Sequence, residues 1–365
     1  VAHVPGAISV SLASEMTKSR VEGPMLTGQL IATGEQMDAL IQKCGIDRYT
    51  TIVFTTSEAE MNANQLWNLT RGYTTFRYWG FPKERLKVLD GGNKAWKAAG
   101  FALTDAVPTI KRSTYCVTPD NVSRVRDDLR ASLSDMILAV QAGTATNDFV
   151  DGRATDPVVP GPTSALIDTS SPTKYVVFEG LVKGGRAYSY TNLIDATSKQ
   201  FKAAADIRTG LNIPAGKNSI YTICRAGNIA SVVFFAIDGY AYYNEVEAGT
   251  LKAVWYDGSW GQWGLMAASN LTGPVSSVNA GGKLAVGSVW DTTALTDSLT
   301  YNVDFDTDAV TAGIQGRPIV SYTTRIQAPE PAITANQVED ADKAYRSPIT
   351  TGTGGGSTGG GGGGC

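Results

Sequence analysis

The sequence predicts an α/β fold: two copies of one module, each a mainly parallel sheet flanked by helices, and a C-terminal extension that is β-rich or extended. Three observations predict it. First, the chain repeats itself. Residues 52–100 and 220–264 each open on a strand-like run, pass through a loop into a helix-like stretch reaching Gly72 or Gly239, and close on Asp-Gly. Asp90 to Trp96 and Asp257 to Trp263 share the pattern D-G-x-x-x-x-W, and aligning Ile52 with Ile220 sets Thr56 opposite Cys224. Second, strands alternating with helices give parallel sheets covered on both faces. Third, the composition shifts after residue 266 toward Thr, Ser, Val and Asp in short alternating pieces such as "KLAVGSVW" and "PIVSYTTRI".

The elements follow in order. Residues 1–112 form the first module. Residues 113–147 form a linker with a helix, for which Thr118 is the expected N-cap; Val122, Val125, Leu129, Leu133, Ile137 and Val140 recur at helical spacing. Residues 148–266 form the second module, opening on "DFVDGR" and interrupted by the turn-rich "VVPGPTSALIDTSSP". Residues 267–349 form the extension, in which "NQVEDADKAYR" reads as a closing helix, and 350–365 form a glycine-rich tail expected to be flexible.

Composition limits the function classes. The 365 residues carry a net charge of −3, which argues against a broad nucleic-acid footprint. Only 18% are charged, and Thr, Ser, Gly and Asn fill the gap, a bias common in exported proteins. The four cysteines, Cys44, Cys116, Cys224 and Cys365, lie far apart, and with His3 as the only histidine no zinc site can be read. A Cys44–Cys116 bridge stays open. No run reaches membrane-spanning length.

The chemistry concentrates at "IYTICRAGNIASVVFF", residues 220–235. A β-branched run ends on Cys224, and a helical run follows. In parallel α/β sheets ligands bind beyond the carboxyl ends of the strands. A helix start presents unpaired amides and a partial positive charge, and Gly227 permits the tight curl. Arg225 adds a fixed charge beside the sulfur. These are the parts of a stabilised, reachable thiolate with a cradle for an anion above it. The bland reading is a buried structural cysteine. Arg225 is read equally well as a solvated loop residue or as a substrate contact.

The motifs together resemble the tandem-domain rhodaneses, the thiosulfate/3-mercaptopyruvate sulfurtransferase family. "HVPGAISVSL" at 3–12, "VLDGGNKAWKAAG" at 88–100, "VDGR" at 150–153, "CRAGNIAS" at 224–231 and "YDGSWGQW" at 256–263 carry the resemblance, which covers about residues 1–266. It implies that Cys224 takes a sulfane sulfur from a small sulfur-containing anion, holds it as a persulfide and passes it to a thiol or to cyanide, with no cofactor. It implies that the loop Arg225, Ala226, Gly227, Asn228, Ile229 and Ala230 cradles the outer sulfur and the donor. Arg225 matches the first charged loop residue of thiosulfate-using members, whereas Ala226 stands where those members carry a second basic residue. Ala230 in place of arginine disfavours the related phosphatase chemistry.

The first module departs from the pattern with Thr56 in the cysteine position and the acids Glu58 and Glu60 nearby, which marks it as non-catalytic. "GLVKGGRA" at 180–187 lacks the expected His and Pro; Lys183 and Arg186 are candidates for restoring positive charge at the cleft, or else surface charges. Asp151 and Arg153 are expected to pair, Asp90 and Asp257 to cap turns, Trp96 and Trp263 to anchor helices in the core, and His3 to shape the fold. The first module also lacks the strand that should precede "HVPGA"; part of the extension, a further segment or a neighbouring chain is expected to complete its sheet. The tail resembles those that precede anchoring signals in exported bacterial proteins, with an engineered linker as the alternative. The chain thus reads as an exported sulfurtransferase at the cell surface, in the periplasm or outside the cell. The alternative is a surface or assembly protein built on a catalytically weak rhodanese scaffold.

Overall fold

A computed structural model of the chain describes residues 2–58, 66–117, 125–153, 178–268, 284–285, 287–301 and 329–346. Thr118, Val122, Glu60, the 158–172 excursion, the "PIVSYTTRI" piece and the glycine-rich tail with Cys365 lie outside these residues.

The first module begins with α1 (Leu12–Glu15) and the antiparallel hairpin β1 (Thr17–Glu22) and β2 (Met25–Ile31). Helix α2 (Gly34–Lys43) starts on a capping box: the Thr33 hydroxyl accepts from the Gln36 amide, and the Gln36 side chain accepts from the Thr33 amide. Strand β3 (Ile52–Phe54), α3 (Trp67–Tyr78), β4 (Leu86–Val88) and α4 (Gly92–Ala98) form a parallel β-α-β-α unit in which Ile52 pairs with Leu86. The second module contains β5 (Asn147–Asp151), β6 (Phe178–Val182), β7 (Arg186–Ala187), α6 (Ala204–Leu211), β8 (Ser219–Ile223), α7 (Asn228–Phe235), α8 (Tyr243–Glu247), β9 (Lys252–Trp255) and α9 (Ser259–Ala268). Its parallel sheet runs in the order β7-β5-β8-β9. Helix α5 (Leu133–Ala142) precedes it, and β10 (Thr296–Tyr301) and α10 (Gln337–Arg346) follow.

Both halves follow the same order of a strand, a helix and a parallel strand: β3, α3, β4 in the first and β8, α7, β9 in the second. The two modules share one hydrophobic core, containing Leu30, Phe54 and Trp79 from the first and Val232, Phe235 and Trp255 from the second. Helices α3 and α7 meet where Tyr73 packs edge-on against Phe235, centroids 4.9 Å apart. The Thr70 and Ser231 hydroxyls lie 2.8 Å apart at the same contact.

Several local expectations are corrected. Gly72 lies inside α3, not at its end, because the Phe54 ring occupies the space a Cβ would need, 2.5 Å away. Likewise, α7 continues through Gly239 as a π-helical segment, 236–241, with buried Asp238 bonded to Tyr73 and Arg77. The linker helix starts at Leu133, because Ser132 and Asp135 form a capping box there; Asp127–Leu129 is a 3-10 turn. Trp96 is only half-buried, stacked on Phe101, whereas Trp263 is fully buried. His3 forms an antiparallel bridge with Thr104. Among the described residues, β3 pairs with β4, and the extension's β10 pairs antiparallel with β6 of the second module rather than with β3. The closing helix α10 packs instead on β1 and α2: Arg20 Nη2 pairs with Asp342 at 2.8 Å, and the Tyr345 hydroxyl donates to Asp38 at 2.6 Å.

Candidate active site

Cys224 follows the last residue of β8, between β5 and β9, so the sheet fixes its position on both sides. Gly227 caps α7 at φ +77°, and a Cβ there would lie 2.6 Å from the Asp257 carbonyl oxygen. Only glycine meets both constraints without strain. The Gly227 carbonyl accepts from the Trp255 indole at 2.9 Å. The first amides of α7, on Asn228, Ile229 and Ala230, have no intrahelical acceptor by the nature of a helix start.

The closing segment supplies a residue that sequence reasoning did not single out. The Ser259 hydroxyl accepts from the Cys224 and Gly227 amides, both at 3.1 Å, donates to the Tyr256 carbonyl at 2.6 Å, and lies 3.8 Å from Cys224 Sγ. It sits inside the turn of the loop and holds both ends. Ser259 has φ +49°, a left-handed conformation costly for a residue with a side chain. Its signal in the sequence was its place two residues after Asp257 in the repeated Asp-Gly element.

The first module closes over this loop. Arg71, on α3, donates to the Asn228 side-chain oxygen at 3.2 Å and to the Gln29 carbonyl at 2.6 Å, and its guanidinium lies over the Trp255 ring, 4.3 Å from the centroid. The Asn228 side-chain nitrogen donates to the Gln29 side-chain oxygen at 3.1 Å. Gln29 itself has φ +60°. Burial pulls the Arg71 guanidinium down to about 10, with Asp257 and Cys224 opposing the fall. Cys224 is 2% exposed, so the thiol expected to be reachable is covered in this closed arrangement. Neither Arg71 nor Gln29 carried a motif; only the packing of the modules brings them here.

The loop residues Arg225 to Ala230 surround the start of α7 as the spacing required. The Arg225 carbonyl accepts from Gly261, which ties the loop to α9. Lys183 and Arg186 are not brought to this site. Arg186 pairs in register with Val150, and its guanidinium turns back to Asp148 at 2.6 Å, toward the amino ends of the strands. Lys183 precedes Gly184, which packs on Thr144 ahead of β5, again at the amino ends. Asp148 holds the Arg186 guanidinium away from Cys224.

Asp151 and Arg153 form the expected ion pair, 2.6 Å apart and buried. The two repeat aspartates make reciprocal ties between modules, and Asp90 also accepts from the Gly91 amide of its own turn. Asp90 accepts from the Phe201 amide of the second module at 2.9 Å, and Asp257 accepts from the Ile31 amide of the first at 2.8 Å. Asp257 also belongs to a buried charge cluster. Arg130 pairs with it at 2.8 Å, with Glu22 at 2.7 Å and with Glu339 of α10. Burial opposes the Arg130 charge, but the carboxylates hold its guanidinium well above its ordinary range. Burial pushes Glu22 up, despite Arg130 beside it. Cys44, at the end of α2, is a free thiol pushed up by burial, so it makes no bridge to Cys116. Among the described residues no cluster could hold a metal ion, and no helix is long and apolar enough to cross a membrane.

No family model matches the chain. Its sequence is similar to a thiosulfate sulfurtransferase of Corynebacterium glutamicum, 27% identical over 274 residues, covering 73% of this chain and 78% of the relative. A proposed thiosulfate sulfurtransferase of Haloferax volcanii is 25% identical over 280 residues, covering 76% and 84%. Among solved structures, the Tum1 protein from Saccharomyces cerevisiae superposes with a TM-score of 0.53 at 17% identity, over 72% of this chain and 80% of that one. An EanB variant holding a cysteine persulfide with ergothioneine also gives 0.53, at 18% identity, over 72% and 58%. The chain therefore carries a rhodanese-like α/β fold, and the relatives it resembles in sequence are named as thiosulfate sulfurtransferases.

Proposed function

We propose that the chain transfers sulfane sulfur through a persulfide on Cys224, from a thiosulfate-like or mercaptopyruvate-like donor to a thiol or cyanide. With thiosulfate, the Cys224 thiolate attacks the outer sulfur, the sulfur–sulfur bond breaks, and sulfite leaves with its electron pair. The persulfide anion then gives its outer sulfur to cyanide, forming thiocyanate and restoring the thiolate. The observation that carries this reading is the placement of Cys224: at a strand's carboxyl end, against a left-handed Gly227 and the first amides of α7. No cofactor enters either step. Composition supports export to the cell surface, periplasm or exterior, and the resemblance of the glycine-rich tail to tails that precede anchoring signals supports attachment there.

The test is thiocyanate formation together with mass spectrometry of the Cys224 peptide. Wild type gains about 32 Da, one sulfur atom, on incubation with thiosulfate or mercaptopyruvate. Cys224→Ser abolishes both signals. Turnover that survives the substitution would remove the proposal.

A second reading has its own observation. The 2% exposure of Cys224 fits a binding or assembly protein on a rhodanese scaffold, in which the cleft stays shut. Absence of the mass gain with either donor, in a folded protein, selects that reading.

A further inference from the structure

Arg71 belongs to the first module, yet its side chain lies at the Cys224 loop of the second. Its guanidinium is fully buried, and its Nε has no hydrogen-bond partner among the described residues. A buried cation with no carboxylate hydrogen-bonded to it is incompletely compensated. Asp257 offsets the charge electrostatically but makes no hydrogen bond to it: one of its oxygens lies 2.8 Å from Arg130 and the other accepts from the Ile31 amide. The partners Arg71 does have are neutral: the Gln29 carbonyl, the Asn228 side chain and the Trp255 ring. The Nη1 contact to Asn228, at 3.2 Å, is the longer of the two hydrogen bonds, and a charged oxyanion is a stronger acceptor than an amide oxygen. A Cβ on Gly227 would lie 2.9 Å from Nη1, so the guanidinium touches the loop itself. Arg71 and Cys224 are also within electrostatic reach of one another.

We infer that Arg71 recognises the anionic head of the sulfur donor at Cys224, so that the first module supplies the charge for the second module's reaction. The Arg71 ligand is the carboxylate or sulfonate-like group of the donor already proposed. The Gln29 carbonyl holds Nη2 and positions the guanidinium, and Asn228 yields Nη1 to the donor. This rests on the sulfur-transfer reading of Cys224 and adds the recognition residue to it.

The experiment compares alkylation of Cys224 by anionic iodoacetate and by neutral iodoacetamide, read at the Cys224 peptide. The ratio of the two rates cancels the thiolate fraction and needs no turnover. In the folded wild type the ratio should exceed that of the same protein unfolded in urea by about tenfold, the scale of one charge-assisted contact. Arg71→Gln should abolish the excess, and Arg71→Lys should keep most of it. An Arg71→Gln protein that folds and keeps the wild-type ratio overturns the inference. So does a folded wild type whose ratio matches that of the unfolded chain, a comparison that needs no variant. An excess with no persulfide on Cys224 would sustain the anion site and remove the sulfur-transfer reading; a persulfide with no excess would do the reverse.

Discussion

Gly227 carries the local geometry of the candidate site. Its φ of +77° lies in the left-handed region, and the Asp257 backbone fills the space beside it. Gly227→Ala should cost at least about 2 kcal/mol, combining left-handed strain with overpacking. Urea unfolding of the folded variant reads that loss, and a change within about 0.5 kcal/mol would show that the loop simply shifts. Cys224 and Gly227 were legible because a strand run, a cysteine, a glycine and a helical run stand next to each other in the chain. Ser259 was legible only as part of a repeated motif, and its two amide bonds were not. Lys183 and Arg186 were misplaced because order along the chain says which loop a residue belongs to, not which end of the strand it faces. Asp148, two residues ahead of Val150 in register, draws Arg186 the wrong way for catalysis.

Among the elements, α10 shows how the extension contributes. It ties the hairpin β1–β2 through Arg20–Asp342, reaches α2 through Tyr345–Asp38, and meets the linker through Glu339–Arg130. Burial raises the Glu339 carboxyl to about 8, against the pull of Arg130 and with Glu22 adding to it. An unfolded Glu titrates near about 4.3. Between these values the folded chain keeps a proton that the unfolded chain has released. The stability linked to this group is complete at low pH and is lost as pH rises from about 4 toward about 8. Wild type should therefore lose at least about 1 kcal/mol relative to Glu339→Gln across that window. Parallel pH dependences for the two proteins, measured by urea unfolding, would refute the assignment. The helix itself was legible in the stretch "NQVEDADKAYR". Its docking site was not: a helix pattern names a buried face without naming what covers it. The linker helix failed the other way, since apolar residues at helical spacing continue through Val125 and Leu129, but the Ser132–Asp135 capping box starts the helix later.

At the scale of the molecule, the two modules are joined by polar ties set within a common core. Asp238 is fully buried and holds Arg77 and Tyr73 of the other module; the Lys83 ammonium binds its carbonyl. Removing one partner of a buried ion pair leaves the other charge uncompensated. Asp238→Ala should cost about 3–5 kcal/mol. Because the core is shared, the loss should fall on both modules: amide exchange in β3 and in β8 should accelerate by a similar factor. Faster exchange in one module only would mean that the modules open independently.

The sequence by itself determined the repeated α/β module, the loop with its cysteine and glycine, and the asymmetry between Thr56 and Cys224. Those features are local, written in periodicity, turn residues and motif spacing, and neighbours in the chain enforce them. Only the tertiary structure decided that Arg71 and Gln29 stand at the second module's loop, that Asp90 and Asp257 tie the modules reciprocally, and that Cys224 lies covered between them. The hydrogen bonds that make these ties join residues from 111 to 226 positions apart, where no local preference can specify the partner. The burial of the interface selects them, because most polar groups removed from water there are paired across it.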